Sequence, residues 1–231
     1  MLDFDRFAVL TFDCYGTLID WESGILAAMR PIARAHGNSA DDATLLETYA
    51  AAEADAEAGP YRPYADILRE AVITVGDRLD FSPTAKEADA FAASIVTWPA
   101  FPDSADALAR LRTRFKLAAV TNCDDRLFAA SERLLGEPFM WVITAQQAKA
   151  YKPSPRMFEV ALQTIGQPPD RVLHVAQSLY HDHVPAKRRG LSTVWVNRRH
   201  DQPGPGATSV AEVQPDLEVA DMAALAVLAG V

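Results

Sequence analysis

The first apolar block of the chain, Ala8-Val9-Leu10-Thr11-Phe12, stops abruptly at Asp13-Cys14-Tyr15-Gly16-Thr17-Leu18. A short continuous apolar run ended by an acid, a glycine and a threonine predicts a buried parallel strand that delivers one carboxylate to the open end of a sheet. The same residues also suit a plain turn, with Asp13 as its cap and Gly16 supplying a positive φ. From Asp20 the spacing turns helical and stays so as far as Trp98. Ile25, Leu26, Met29, Ile32 and Ala33 share a face between Trp21 and His36, ahead of the stop signal Gly37-Asn38. Leu45 to Ala58 is alanine-rich and acidic and ends at Gly59-Pro60, and Tyr64, Ile67, Leu68, Ala71, Val72 and Val75 keep 3.6-residue spacing along a third helix. This block holds no strand pattern, and Ser94 to Trp98 reads either way.

Beyond Phe101-Pro102-Asp103, helices and strands alternate. Asp103 is placed to cap a helix bearing Leu108 and Leu111, and Lys116 to Val120 reads as a strand ending at Thr121-Asn122. Asp124 is placed to cap the next helix, which carries Leu127, Phe128, Leu134 and Leu135 and stops at Gly136; Trp141 to Thr144 is a brief strand. Ser154-Pro155 supplies the cap and first residue of a helix running to Gly166. Val172 to Ala176 and Thr193 to Asn197 are further strands around a helix ending at Gly190; His200 to Thr208 reads as a loop and Asp221 to Leu228 as the closing helix. The fold class predicted is α/β: a doubly wound parallel, Rossmann-like sheet over residues 1–19 and 99–231, with an inserted all-helical cap over 20–98. Ligands of such sheets lie beyond the carboxyl ends of the strands. That places Asp13, Thr121, Asn122, Gln177 and Ser178 together beneath the cap.

Composition narrows the function classes. The net charge of −9, from 31 acids against 22 bases, and the absence of any basic block beyond Lys187-Arg188-Arg189 and Arg198-Arg199 argue against nucleic acid or an anionic membrane as partner. No apolar run approaches the roughly 20 residues that span a bilayer, and the N-terminus lacks the basic stretch of a signal peptide, so a cytoplasmic protein is expected. Cys14 and Cys123 fit neither a CxxC nor a zinc spacing and are expected as reduced packing groups. No Gly-x-Gly-x-x-Gly, Walker loop or Gly-x-Ser-x-Gly elbow occurs.

Four motifs in order, Asp13-Cys14-Tyr15-Gly16-Thr17, Thr121-Asn122, Tyr151-Lys152-Pro153 and Gln177-Ser178-Leu179-Tyr180-His181-Asp182, resemble those of the haloacid dehalogenase superfamily over nearly the whole chain. The phosphatases of that superfamily carry a second aspartate where Tyr15 stands and a metal-binding aspartate where Gln177 stands. Losing two acids leaves Asp13 and Asp182 with Lys152 to balance them, a poor magnesium site. Unit charges about 4 Å apart interact by roughly 4 kcal/mol at an effective dielectric near 20, so a small monoanion is easier to accommodate there than a phosphate dianion.

The aspartate-x-tyrosine-glycine-threonine form resembles the L-2-haloacid dehalogenases, which need no metal. The resemblance implies hydrolytic dehalogenation of a short 2-haloalkanoic acid, with Asp13 as nucleophile forming an aspartyl ester and no cofactor. Lys152 would hold Asp13 ionised, Thr17 would hydrogen-bond it, and Asp182 or His181 would activate water. Cys14, Tyr15, Thr121, Asn122, Gln177 and Ser178 are the expected substrate-binding set. Tyr15, Trp21, Tyr61, Tyr64 and Tyr180 are available to line a small apolar pocket. His181-x-His183 is not read as a metal pair, because residues two apart on a helix point away from each other. The cap arginine that helps those dehalogenases abstract halide has no match at Leu45 to Glu47; Arg30, Arg34, Arg62 and Arg69 are the available substitutes, none matching by position, and Arg62 is the one taken into the expected binding set. The alternatives are a phosphatase or phosphonatase with the same nucleophile, or a non-catalytic binder of small acids. The partner expected is a small carboxylate, and the cap's alanine-rich face offers a surface for a homodimer.

Overall fold

The computed structural model describes residues 2–231. Six parallel strands form one sheet in the order β3-β2-β1-β4-β5-β6, with β1 Val9–Phe12, β2 Lys116–Thr121, β3 Trp141–Thr144, β4 Val172–Ala176, β5 Ser192–Val196 and β6 Leu217–Val219. Every residue of β1 and β4 is buried, which explains their continuous apolar runs: helices cover both faces. Phe12 pairs with Ala119 on one side and Val175 on the other. This register brings the ends of the three central strands to one level, where Thr121 ends β2 and Asp13 and Gln177 follow β1 and β4.

The insertion after β1 is helical: α1 Trp21–Ala35, α2 Asp42–Glu57, α3 Tyr64–Arg78 and α4 Ala85–Ser94, then a 3-10 turn at Ile95–Thr97 that resolves the ambiguous Ser94 to Trp98 stretch. The fourth helix was not anticipated, although Thr84 and Glu87 form a reciprocal capping box at its start. Gly24 on α1 has a packing reason, since an added Cβ would lie 2.3 Å from the Trp98 ring. The chain leaves and returns side by side: Asp20 N–H donates to the Pro99 carbonyl and Phe101 N–H to the Leu18 carbonyl.

The remaining helices are α5 Ser104–Leu111, α6 Asp125–Leu134, α7 Ala145–Ala148, α8 Pro155–Ile165, α9 Val184–Arg188 and α10 Met222–Leu228. Ser154 caps α8 as expected, and Gly166 ends it at φ 67°. Two caps are redirected. The Asp103 side chain makes no bond to α5; it accepts from Arg198 and from the Met222 and Ala223 N–H groups at the start of α10. Asp124 likewise leaves α6 uncapped and accepts from Tyr64 N–H at 2.7 Å and the Tyr61 hydroxyl at 2.9 Å, so it caps α3 across the two layers. A capping residue takes whichever free N–H the tertiary structure brings nearest. The edge strand β6 was also missed, being three residues long and only partly buried. Among the described residues no helix is long and apolar enough to cross a membrane.

Candidate active site

The strand ends and the helical layer enclose a small cavity lined by Asp13, Asn122, Lys152, Ser178, His181 and Asp182 from below and by Tyr15, Trp21, Glu53, Glu57 and Tyr64. Its free volume is about 30 Å³, room for a water-sized group. A wider cleft shares Glu57, Lys152 and His181 with it and is lined also by Tyr61, Tyr151 and Tyr180. The five aromatic residues anticipated as pocket wall are thus split, with Tyr15, Trp21 and Tyr64 at the cavity and Tyr61 and Tyr180 at the cleft.

Asp13 is 6% exposed and held at both oxygens. Lys152 Nζ donates to Oδ1 at 2.7 Å, and Thr17 Oγ1 donates to Oδ2 at 2.6 Å. Thr17 is itself fixed, accepting from Gln177 N–H, while its carbonyl accepts from the Arg198 guanidinium. The other N–H groups of Lys152 go to Asp182 Oδ1 at 2.8 Å and to the Val120 carbonyl at 3.0 Å. An ammonium has three donors, so Lys152 has none left for a ligand.

The electrostatics of this group are shared. Burial raises the Asp13 pKa, and Asp182 adds to the rise, while Lys152 and Thr17 oppose it. Burial works against the charge on Lys152, but the two carboxylates together outweigh it and hold its pKa above the ordinary value. Asp182 is also buried, yet Lys152 and His174 carry its pKa below the usual carboxylate range. His174, on β4, donates from Nε2 to Asp182 Oδ1 at 2.9 Å, and its Nδ1 lies 2.8 Å from Thr11 Oγ1. The second oxygen of Asp182 is buried with no partner.

His181 follows Ser178 in a single turn of π-helix, Leu179–His183, in which Ser178 Oγ accepts from His181 N–H. Burial pushes the His181 imidazole down to about 4, which leaves it neutral and weakly basic at neutral pH. His183 also sits at about 4, again from burial, and lies against the Ala176 carbonyl. Asn122 clamps the Lys152 segment, accepting from its N–H at 2.6 Å and donating to its carbonyl at 3.1 Å.

Several expected binding residues stand elsewhere. Thr121 and Cys14 are buried but do not line the cavity, and Thr121 Oγ1 has no hydrogen-bond partner. Gln177 faces a different cleft and accepts from Thr208. Arg62 is half-buried at the surface, donating to Glu70 and to the Ala56 carbonyl, because its place before α3 turns it away from the cavity. Cys123 lies 3.5 Å from the Tyr15 hydroxyl, and burial pushes its thiol up to about 12. The Tyr15 hydroxyl also meets Ser131 at 3.0 Å, so it is spent on packing contacts.

Sequence reasoning missed His174, Arg198, Glu53 and Glu57. The last two had a signal: Tyr49, Glu53 and Glu57 recur every four residues on α2 and so share one face. The fit to a magnesium ion is poor. The ammonium of Lys152 sits between the two floor carboxylates, Gln177 is turned away, and no group of three or more His, Cys, Asp or Glu able to hold a metal occurs among the described residues.

Comparison with known proteins supplies the family. The (S)-2-haloacid dehalogenase 4A of Burkholderia cepacia is 26% identical over 205 residues, covering 86% of this chain and 87% of that protein. A phosphoserine phosphatase of Thermus thermophilus is 31% identical over 207 residues, covering 85% and 77% respectively. The fold matches that of the L-2-haloacid dehalogenase from Xanthobacter autotrophicus with a TM-score of 0.80 at 21% identity, over 96% of this chain and 98% of that one. A family model for haloacid dehalogenase-like hydrolases matches residues 7–179, the span that contains Asp13, Asn122, Lys152 and Ser178, and the chain therefore belongs to that hydrolase family.

Proposed function

We propose that the protein hydrolyses a carbon–halogen bond of a short 2-halogenated acid through an ester on Asp13, without a metal. The supporting observation is the state of the nucleophile's surroundings. Asp13 is oriented by Lys152 and Thr17, while the hydroxyl of Tyr15, two residues on, is occupied by Ser131 and Cys123. That strand end therefore offers no free acid to protonate a leaving group, which suits one that departs unprotonated, as halide does. An Asp13 oxygen forms a bond to the substrate carbon as the carbon–halogen pair leaves with the halide. Water then adds to the Asp13 carboxyl carbon and gives up a proton. Collapse releases a 2-hydroxy acid and leaves one water oxygen in Asp13. That Asp182 lines the cavity with one oxygen unpartnered supports it as the group that takes the water's proton.

A second reading, hydrolysis of a phosphate ester by the same nucleophile, draws on the likeness to the Thermus phosphatase. Halide release from 2-chloropropionate and phosphate release from a panel of phosphate esters, each measured with magnesium and with a chelator, separate the two. Chelator-insensitive halide release with heavy oxygen from water accumulating in Asp13 is expected. Magnesium-dependent phosphate release without any halide release would sink the first reading.

A further inference from the structure

We infer that Glu53 and Glu57 form a subsite for a positively charged nitrogen on the substrate; the inference rests on Asp13 being the nucleophile beneath them. Both glutamates line the cavity from the same face of α2. Glu53 is 4% exposed, and its Oε1 accepts from the hydroxyls of Tyr49 at 2.7 Å and Tyr64 at 2.6 Å. These lengths are those of hydroxyls donating to a carboxylate. Its Oε2 accepts no hydrogen bond from any described residue. Glu57 is met only by the Asn122 amide, at 3.2 and 3.1 Å from its two oxygens. Neither glutamate makes an ion pair with any described lysine, arginine or histidine, although the surface of the chain is rich in such pairs.

Buried carboxylates are normally paired with a cation or several donors, and here the described residues supply two hydroxyls and one amide but no cation. Lys152 has spent its three N–H groups on the floor, and on the opposite wall Asp182 Oδ2 is buried without a partner. The cavity thus presents unfilled glutamate acceptors from α2 and, among its lining residues, no free cation. An alkylammonium group, with three donors and one positive charge, complements it. Without such a ligand, burial pushes both glutamates above the ordinary carboxyl range. A simple 2-haloacid would bring only electron-rich groups to this space. The substrate class that fits is a small 2-haloacid bearing an amino group, whose halogen-bearing carbon reaches Asp13 while its ammonium lies against α2.

The test uses the full chain and two probes, methylammonium chloride and sodium acetate, titrated at constant ionic strength and read by thermal midpoint and calorimetry. Methylammonium is expected to bind and raise the midpoint, acetate is not, and Glu57→Gln is expected to weaken methylammonium about tenfold. Glu53→Gln should do the same. If that variant folds poorly because of its tyrosine contacts, the half-buried Glu57 carries the test alone. Preference for acetate, binding of neither probe, or methylammonium binding unchanged in Glu57→Gln overturns the subsite. Halide release from 4-amino-2-chlorobutanoate against 2-chlorobutanoate gives the second readout, with a preference of at least about tenfold expected for the amino compound. Label from water in Asp13 with no methylammonium binding would remove the subsite and keep the nucleophile; the reverse pattern would remove the nucleophile and keep the subsite.

Discussion

The floor and the roof of the cavity each carry two carboxyl groups, and they solve the problem of burying them in opposite ways. On the floor, Asp13 and Asp182 share the ammonium of Lys152, with Thr17 donating to the second oxygen of Asp13 and His174 to the Asp182 oxygen that Lys152 also meets. On the roof, Glu53 and Glu57 have two tyrosine hydroxyls and one amide but no cation. The floor holds its own cation before any ligand arrives, the arrangement that the proposed role of Asp13 as nucleophile calls for. The roof is left open to be completed by what binds. On the proposed reading, chemistry falls to residues delivered by the sheet and selection to residues delivered by the inserted helices.

The floor should be the more fragile half. Asp13→Asn is expected to lower turnover by about 10⁴-fold or more, as deletion of a covalent nucleophile does, and to abolish labelling at that position while the protein stays folded. Lys152→Met leaves two buried carboxylates facing each other. A denaturant titration should show a loss of about 3–5 kcal/mol, with turnover falling alongside. A Lys152 variant as stable as the parent would break the claim that the ammonium holds the floor together. His174→Leu removes one donor from Asp182 and should cost about 1–3 kcal/mol, with a smaller effect on turnover than either preceding change.

On the roof, Tyr64→Phe takes away one of the two hydroxyls on Glu53 and should cost about 1 kcal/mol of stability. KM should rise while kcat stays nearly constant, because no reacting atom is touched. The smallest and sharpest contrast is in pH dependence. Glu57 has a folded pKa above its unfolded value, so its proton stabilises the fold fully below about pH 4.3 and that stability is lost as pH rises through the folded pKa. Glu57→Gln should therefore melt higher than the parent at pH 8 and alike near pH 4. Asp182 has a folded pKa below its unfolded one, so its contribution is present above about pH 3.9 and is lost on acidification. Asp182→Asn should thus be less stable than the parent at pH 8. Thermal melts of both variants at the two pH values check the opposite signs, and equal signs would erase the distinction between floor and roof.

Much of this architecture was legible along the chain. The buried strands announce themselves as unbroken apolar runs, and the acid, amide and serine that follow them mark the ligand end of the sheet. Ser154 and Pro155 start α8 and Gly166 ends it because those features depend on local backbone geometry alone. The Tyr15 and Gln177 substitutions, which separate this floor from a magnesium site, are visible without coordinates. What the sequence determined by itself is therefore what neighbouring residues decide: periodicity, capping chemistry and the order of the motifs.

Packing decided the remainder. Lys152 meets Asp13 across 139 residues, and Asp124 caps a helix whose first residue lies 60 positions earlier in the chain. His174 reads from sequence as an ordinary member of an apolar strand, and Glu53 and Glu57 as members of a solvated acidic stretch. Only the stacking of α2 over the sheet turns those glutamates inward, just as the placement of Arg62 before α3 turns it out. A hydrogen-bond donor or acceptor finds its partner by proximity in space, and proximity between distant segments is set by how whole layers pack rather than by any local pattern.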